Sequence, residues 1–227
     1  MFNKIYLQLL KNYGEQGWWP LSKGSLKTQH HNGNPVSDKD RFEIIVGAIL
    51  TQNTSWKNVE KALYNLNKNK LLDAKKLAVA RIDKIARLIK PAGYYNLKAE
   101  RLKIIARHYI QHSSLLNKNV KELRAELLSI KGIGPETADS IILYAAEKPS
   151  FVIDAYTKRI FSRLGFCKED VAYDELKTIF EKNLKPDTKM FKEYHALIVE
   201  HAKRFCNKRP KCSGCILRRF CNFNPKC

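Results

Sequence analysis

The densest chemistry in this chain lies near its end. Cys206, Cys212, Cys215 and Cys221 occur in the stretch CNKRPKCSGCILRRFC, and five of the six cysteines fall in the final 22 residues. Four thiolates with a central CxxC can hold zinc or a [4Fe-4S] cluster, and spacing alone does not choose between them. Cys167 and Cys227 stand outside the quartet, the first read as a small hydrophobe and the second as unligated. From His201 to Cys227 there are eight Lys or Arg and no acid. Lys208, Arg209, Lys211, Arg218 and Arg219 are therefore interleaved with the four ligands, where they suit phosphate contacts on a loop held rigid.

A second stretch with chemical content is IKGIGPETADSIILYA, residues 130–145. Gly132-Ile133-Gly134 can take backbone angles closed to other residues, and Pro135 suits the first turn of a following helix. Such a hairpin leaves N–H donors beside a helix N-terminus. Lys131, Gly132, Ile133 and Gly134 are thus expected to grip a phosphate oxygen without reading any base. Downstream, the apolar run FVID ends in Asp154, an acid well placed to cap the helix that begins at Ala155-Tyr156-Thr157.

The elements that must position these groups read as helices. Trp56, Val59, Leu63 and Leu66 share one face behind Thr54 and Ser55; Ala138, Ile141, Ile142 and Ala145 form another stripe, and Ile160, Phe161 and Leu164 a third. Strand alternation is weak, with Ser150 to Ile153 its best short candidate, so the expected fold class is all-α. Residues 21–40 read as a polar loop in which His30 and His31 carry no role, and KPAGYYN at 90–96 breaks two helical segments.

The charge narrows the partners. Against 22 Asp and Glu stand 42 Lys and Arg, a net +20, which argues for a polyanion, nucleic acid first and an anionic membrane surface second. The N-terminal stretch is too polar for a secretory signal, and the longest apolar run, Ile44 to Leu50, is far short of a membrane span. A cytoplasmic location with no membrane partner is the expectation, and there cysteines serve metal or redox chemistry before disulfides.

Taken together, KGIGPETADSIILYA, FVIDAY, GAILTQNT and the C-terminal cysteines resemble the endonuclease III superfamily of helix-hairpin-helix DNA base-excision glycosylases, over roughly residues 40–225. The resemblance implies a two-domain fold: a helical barrel at 38–148 carrying the hairpin, and a cluster domain built from 1–37 and 149–227, with double-stranded DNA in the cleft. It implies a monomer with a [4Fe-4S] cluster on Cys206, Cys212, Cys215 and Cys221. The superfamily has six residues between the first two ligands where this chain has five.

The same resemblance makes Asp154 the catalytic carboxylate, stabilising oxocarbenium character as an N-glycosidic bond breaks. Bifunctional members carry a lysine where Glu136 stands, and a carboxylate cannot form their Schiff base. A monofunctional enzyme without AP-lyase activity is expected. Gln52 or Asn53 would fill the gap left by the extruded nucleotide, although loop capping serves equally well for both.

Trp18-Trp19-Pro20 is the most unusual aromatic cluster, fit either to wedge a terminal segment on the core or to wall a base pocket. WWP together with GAILTQNT and KPAGYYNLKAERL is similar to the 3-methyladenine DNA glycosylase III branch, which removes alkylated purines. An aromatic pocket selects such a cationic base by stacking. The runner-up is an endonuclease III-type enzyme for oxidised pyrimidines with AP-lyase activity. A non-catalytic DNA-binding iron–sulfur module is the third reading.

Overall fold

A computed structural model describes residues 1–30 and 34–223; His31 and Cys227 lie outside the described residues. The helices are α1 (Phe2–Tyr13), α2 (Asp38–Leu50), α3 (Trp56–Lys68), α4 (Ala74–Val79), α5 (Ile82–Leu88) and α6 (Tyr95–Gln111). They continue as α7 (Val120–Ser129), α8 (Pro135–Ser140), α9 (Ala155–Arg163), α10 (Tyr173–Asn183) and α11 (Thr188–Arg204). Among the described residues the only bridge pairing is Leu21 with Gln29. Ser150–Ile153 forms no strand, so the chain is all-α as its periodicity predicts. No helix of the described residues is long and apolar enough to cross a membrane.

The chain divides into two compact units, one formed by Met1–Trp18 with Pro149–Cys227 and the other by Trp19–Lys148. Residues 19–37, expected with the termini, group instead with α2–α8. The reason is local. The Ser22 N–H and hydroxyl both donate to the buried Glu43 carboxylate of α2, at 2.9 and 2.6 Å. A buried carboxylate needs such donors, and they anchor a segment whose polar composition reads as a free loop.

In the Trp19–Lys148 unit, Ser37 starts α2 with a reciprocal capping box to Asp40. From Phe42 to Leu50 the helix is buried on every side, which makes it the axis of the unit. The other helices pack one apolar stripe each: Val59, Ala62, Leu63 and Leu66 of α3, and Ala99, Leu102, Ile105 and Ala106 of α6. The buried Lys98 of α6 donates to Leu50 O at the end of α2 (2.9 Å) and to Ala92 O in the KPA turn (2.8 Å). Burial first, then the Arg101 charge, brings its ammonium pKa down to about 8. This cation caps the end of α2 and thereby fixes where the loop after it begins.

The other unit has an aromatic core. Phe151 stacks on Phe180 at 4.0 Å, Phe180 lies 4.4 Å from Phe161, and Phe2 of α1 stacks on Phe161 at 5.2 Å. Tyr194 of α11 joins them and donates its hydroxyl to Phe2 O at 3.0 Å. The packing fastens α1 to α9, α10 and α11, the helices that carry Asp154 and lead to the cysteines.

Candidate active site and thiolate centre

Asp154 is the N-cap of α9, in extended conformation. Its Oδ1 accepts from the Thr157 N–H at 2.7 Å and from the Thr157 hydroxyl at 2.8 Å. Its Oδ2 faces His195 Nε2 of α11 at 3.6 Å. Burial pushes the carboxyl pKa up, but the His195 contact and the two Thr157 donors outweigh it, and the group sits below the ordinary carboxylate value. Asp154 is thus a buried carboxylate kept ionised through neutral pH, which capping alone does not require.

The hairpin forms where the glycines place it. Helix α7 ends at Ser129, the Ile133 N–H closes a turn onto Ile130 O at 3.1 Å, and Gly132 takes φ +91°. Gly134 precedes α8, with Pro135 in its first turn. Arg124 of α7 donates Nε to both oxygens of the fully buried Asp139, at 3.0 and 3.2 Å, and locks the two helices. Lys131, Gly134 and Glu136 are exposed at the tip, while Ile133 is buried beneath it. Helix N-termini offer N–H groups that have no partner within the helix, and this one is presented by a rigid turn.

Gln52 is tied to that hairpin. Its Nε2 donates to Gly132 O at 3.1 Å and to Thr137 Oγ1 at 2.9 Å, and its Oε1 accepts from Arg101. Asn53 follows, exposed and at φ +53°. The two candidates of the LTQNT stretch therefore differ: Gln52 is held by the hairpin and Asn53 is open to solvent. A Cβ on Gly132 would lie 2.6 Å from Arg101 Cγ and would also force an L-residue to φ +91°. Gly132→Ala is expected to cost about 1–3 kcal/mol and to weaken duplex binding. Urea unfolding and fluorescence anisotropy measure the two effects, and a variant unchanged in both would contradict the assignment.

Neighbouring tryptophans meet different fates. Trp18 is half-buried, while Trp19 and Pro20 are buried. Trp19 packs edge-on to Trp56 at 5.4 Å and to Tyr144 at 5.2 Å. Its indole fills the space over Gly47, where an added Cβ would come within 2.9 Å. Tyr144 sits in a π-helical turn, Ile141–Ala145, that continues α8. Trp19→Ala is expected to lower stability by about 3–5 kcal/mol, as for other large core truncations. Chemical denaturation checks this, and a loss below ~1 kcal/mol would show that the indole is not part of the core.

The four cysteines line one cavity together with Arg163, Phe205, Pro210, Lys211, Arg218 and Phe223. Arg163, at the end of α9, donates to Cys206 Sγ at 3.3 Å and to Asn207 O at 2.7 Å, and its own carbonyl accepts from Cys221 Sγ at 3.3 Å. Arg159 donates to Cys206 O at 2.8 Å. His201 lies between Cys215 Sγ, 3.4 Å from its Nε2, and the Tyr13 hydroxyl, 2.8 Å from its Nδ1. Burial brings the His201 pKa down to about 4, so it is neutral at pH 7. Among the described residues, the only three His, Cys, Asp or Glu ligand atoms within 4.8 Å of one another belong to His108, His112 and Glu126. Four thiols gathered around one cavity can hold zinc or a [4Fe-4S] cluster. Lys208, Arg209, Lys211, Arg218 and Arg219 are all exposed around it.

Residues 46–186 match the family described as HhH-GPD superfamily base excision DNA repair protein. The chain belongs to this superfamily. A Methanocaldococcus jannaschii protein, provisionally named a DNA repair glycosylase, is 50% identical over 224 residues, covering 96% of this chain and 94% of that one. Endonuclease III of Thermotoga maritima is 29% identical over 186 residues, 80% of this chain and 82% of its own. Among solved structures, the Helicobacter pylori 3-methyladenine DNA glycosylase bound to 1,N6-ethenoadenine superposes with TM-score 0.68 at 31% identity, over 89% of this chain and 97% of that one. A trapped endonuclease III–DNA covalent intermediate shares the fold, with TM-score 0.76 at 20% identity, over 98% of this chain and 96% of that one.

As a superfamily member the chain is a DNA glycosylase, and its geometry adds residues that the sequence does not announce. His195 sits in EYHALIVEH, where it reads as a lone histidine on a helix. Arg101 looks like a surface cation in KAERL, yet it holds Gln52 beside the hairpin. Arg159 and Arg163 read as the polar face of α9, yet they bind the cysteine loop. None carries a local signal, because each is defined by a partner far away in the chain.

Proposed function

We propose that this protein is a monofunctional glycosylase that binds double-stranded DNA as a monomer and hydrolyses the bond between deoxyribose and a damaged, flipped-out base. The preferred substrate is an alkylated purine such as 3-methyladenine. The observation that carries this reading is Asp154, a buried carboxylate held ionised at the start of α9. The substrate class is supported by the similarity to the 3-methyladenine glycosylase, which covers 89% of the chain.

In this reading the hairpin tip at Lys131, Gly132 and Gly134, with the start of α8, binds a phosphate of the damaged strand, while the Ile133 amide closes the turn beneath it. Asn53, with Gln52 braced behind it on the hairpin, enters the space vacated by the extruded nucleotide. Trp18 supplies the face on which the base stacks, and the buried Trp19 and Pro20 support it. An N3-alkylated purine leaves with the electron pair of its glycosidic bond and departs neutral, so the leaving group needs no proton. Positive charge then develops on the sugar, where Asp154 stabilises it and orients the attacking water; the water adds hydroxide to C1′ and gives up one proton. Glu136 stands in place of an amine nucleophile, so no Schiff base forms and the phosphodiester stays intact.

Cys206, Cys212, Cys215 and Cys221 hold the [4Fe-4S] cluster in this reading. When bound, the cluster supplies a redox-inert rigid node rather than a reacting group. The four thiols gathered around one cavity and the membership of the superfamily support it. Base release from a panel of alkylated, oxidised and deaminated duplexes tests the substrate assignment. Free 3-methyladenine is the expected product. Release of oxidised pyrimidines alone would move the enzyme to the endonuclease III-type reading.

A further inference from the structure

Asp154 is more elaborately held than a helix cap requires. An N-cap side chain needs one oxygen to accept from the N2 or N3 amide, and Oδ1 does this with Thr157 while also taking the Thr157 hydroxyl. Oδ2 has no part in the cap. It points instead at His195 Nε2, 3.6 Å away, and the two side chains are only 11% and 16% exposed. An ionised carboxylate offers about four lone-pair sites. Thr157 takes two on Oδ1, and a donor at His195, once drawn within hydrogen-bond reach, claims one on Oδ2, which leaves a single site free.

We propose that His195 is a positioning residue for Asp154: its Nε2–H turns the carboxylate so that the one uncommitted lone pair of Oδ2 faces the reacting sugar or the attacking water. The inference rests on the reading of Asp154 as the catalytic carboxylate. At 3.6 Å the contact is longer than a hydrogen bond, and catalytic contacts of this kind tighten when substrate closes the site. The geometry has a structural basis. Asp154 opens α9 and His195 lies in α11, two helices that pack together in one unit, and both lead to the cysteine loop, α9 through Arg163 and α11 by running into Cys206. The same contact lowers the pKa of the carboxyl, which preserves the charge that must meet the developing oxocarbenium ion.

The test compares wild type, His195→Ala, His195→Gln, Asp154→Asn and the His195→Ala/Asp154→Asn double variant, each isolated with its native metal content. Single-turnover release of 3-methyladenine and duplex affinity are measured separately. His195→Ala is expected to slow the chemical step by up to about 100-fold, the scale of a misplaced catalytic group, with duplex affinity unchanged. His195→Gln, which can present an N–H at similar reach, should recover most of the rate. In the Asp154→Asn background, removal of His195 should cost nothing further. A full rate in His195→Ala alongside a dead Asp154→Asn would overturn the inference alone, as would a well-folded His195→Gln no better than alanine. A full rate in Asp154→Asn would overturn the reading of Asp154 and this inference with it.

Discussion

Asp154→Asn is expected to release damaged base about 10²- to 10³-fold more slowly than wild type, the usual loss on removing one preorganised charge-stabilising group. Asparagine preserves the shape and can still accept at Oδ1 from Thr157, so the start of α9 should survive the change. The effect should therefore fall on the chemical step and leave duplex affinity and thermal midpoint near wild type. What asparagine lacks is the negative charge. That charge is secure in the native protein, because the His195 contact and the Thr157 donors hold the pKa below the ordinary carboxylate value despite burial. Protonation of Asp154 should accordingly limit the rate only in acid, below the ordinary carboxylate range. Single-turnover assays across pH measure both points. An acid limb of Asp154-dependent activity centred near neutrality would mean that the carboxyl is not held as described.

Removing one ligand of the thiolate centre should have effects of comparable size through a different route. If the centre holds the proposed cluster, Cys215→Ala is expected to give colourless protein in place of coloured protein. Loss of a structural metal belongs to the short list of single changes costing more than about 4 kcal/mol. At this chain length each kcal/mol moves the thermal midpoint by about 2–4 °C, so a fall of about 10 °C or more is expected. Base release should fall as well, because the loop is tied to α9 at Arg159 and Arg163, the opposite end of the helix that Asp154 begins. The exposed cations around the centre should lose their fixed positions, which weakens duplex binding and flattens its salt dependence. Colourless wild-type protein containing one zinc would reverse the cluster assignment.

Some of this architecture is written locally. A Gly-x-Gly-Pro turn between apolar helices, a CxxC flanked by two further cysteines and an acid at a helix start are short-range patterns, and each shapes the backbone where it occurs. Periodicity sufficed for an all-α fold because the longer helices, α3 and α6 among them, bury one apolar stripe each. Three things were not legible, and each depends on contacts between distant segments. The boundary of the Trp19–Lys148 unit is set by Ser22 bonding Glu43, which polar composition conceals. Trp18 and Trp19 are identical residues side by side, and it is the packing of Trp19 over Gly47 and against Trp56 and Tyr144 that buries it. The Arg101–Gln52–Gly132 chain and the Asp154–His195 pair join residues whose own neighbours in sequence say nothing of the partner.

The most direct test of the central claim is one reaction: methylated duplex DNA and wild-type protein in the presence of borohydride, with base release read by mass spectrometry and strand integrity read by gel. Free 3-methyladenine, phosphodiesters that stay intact and no protein–DNA adduct are expected. A borohydride-stabilised adduct, or methylated base still attached to the DNA, would contradict the claim.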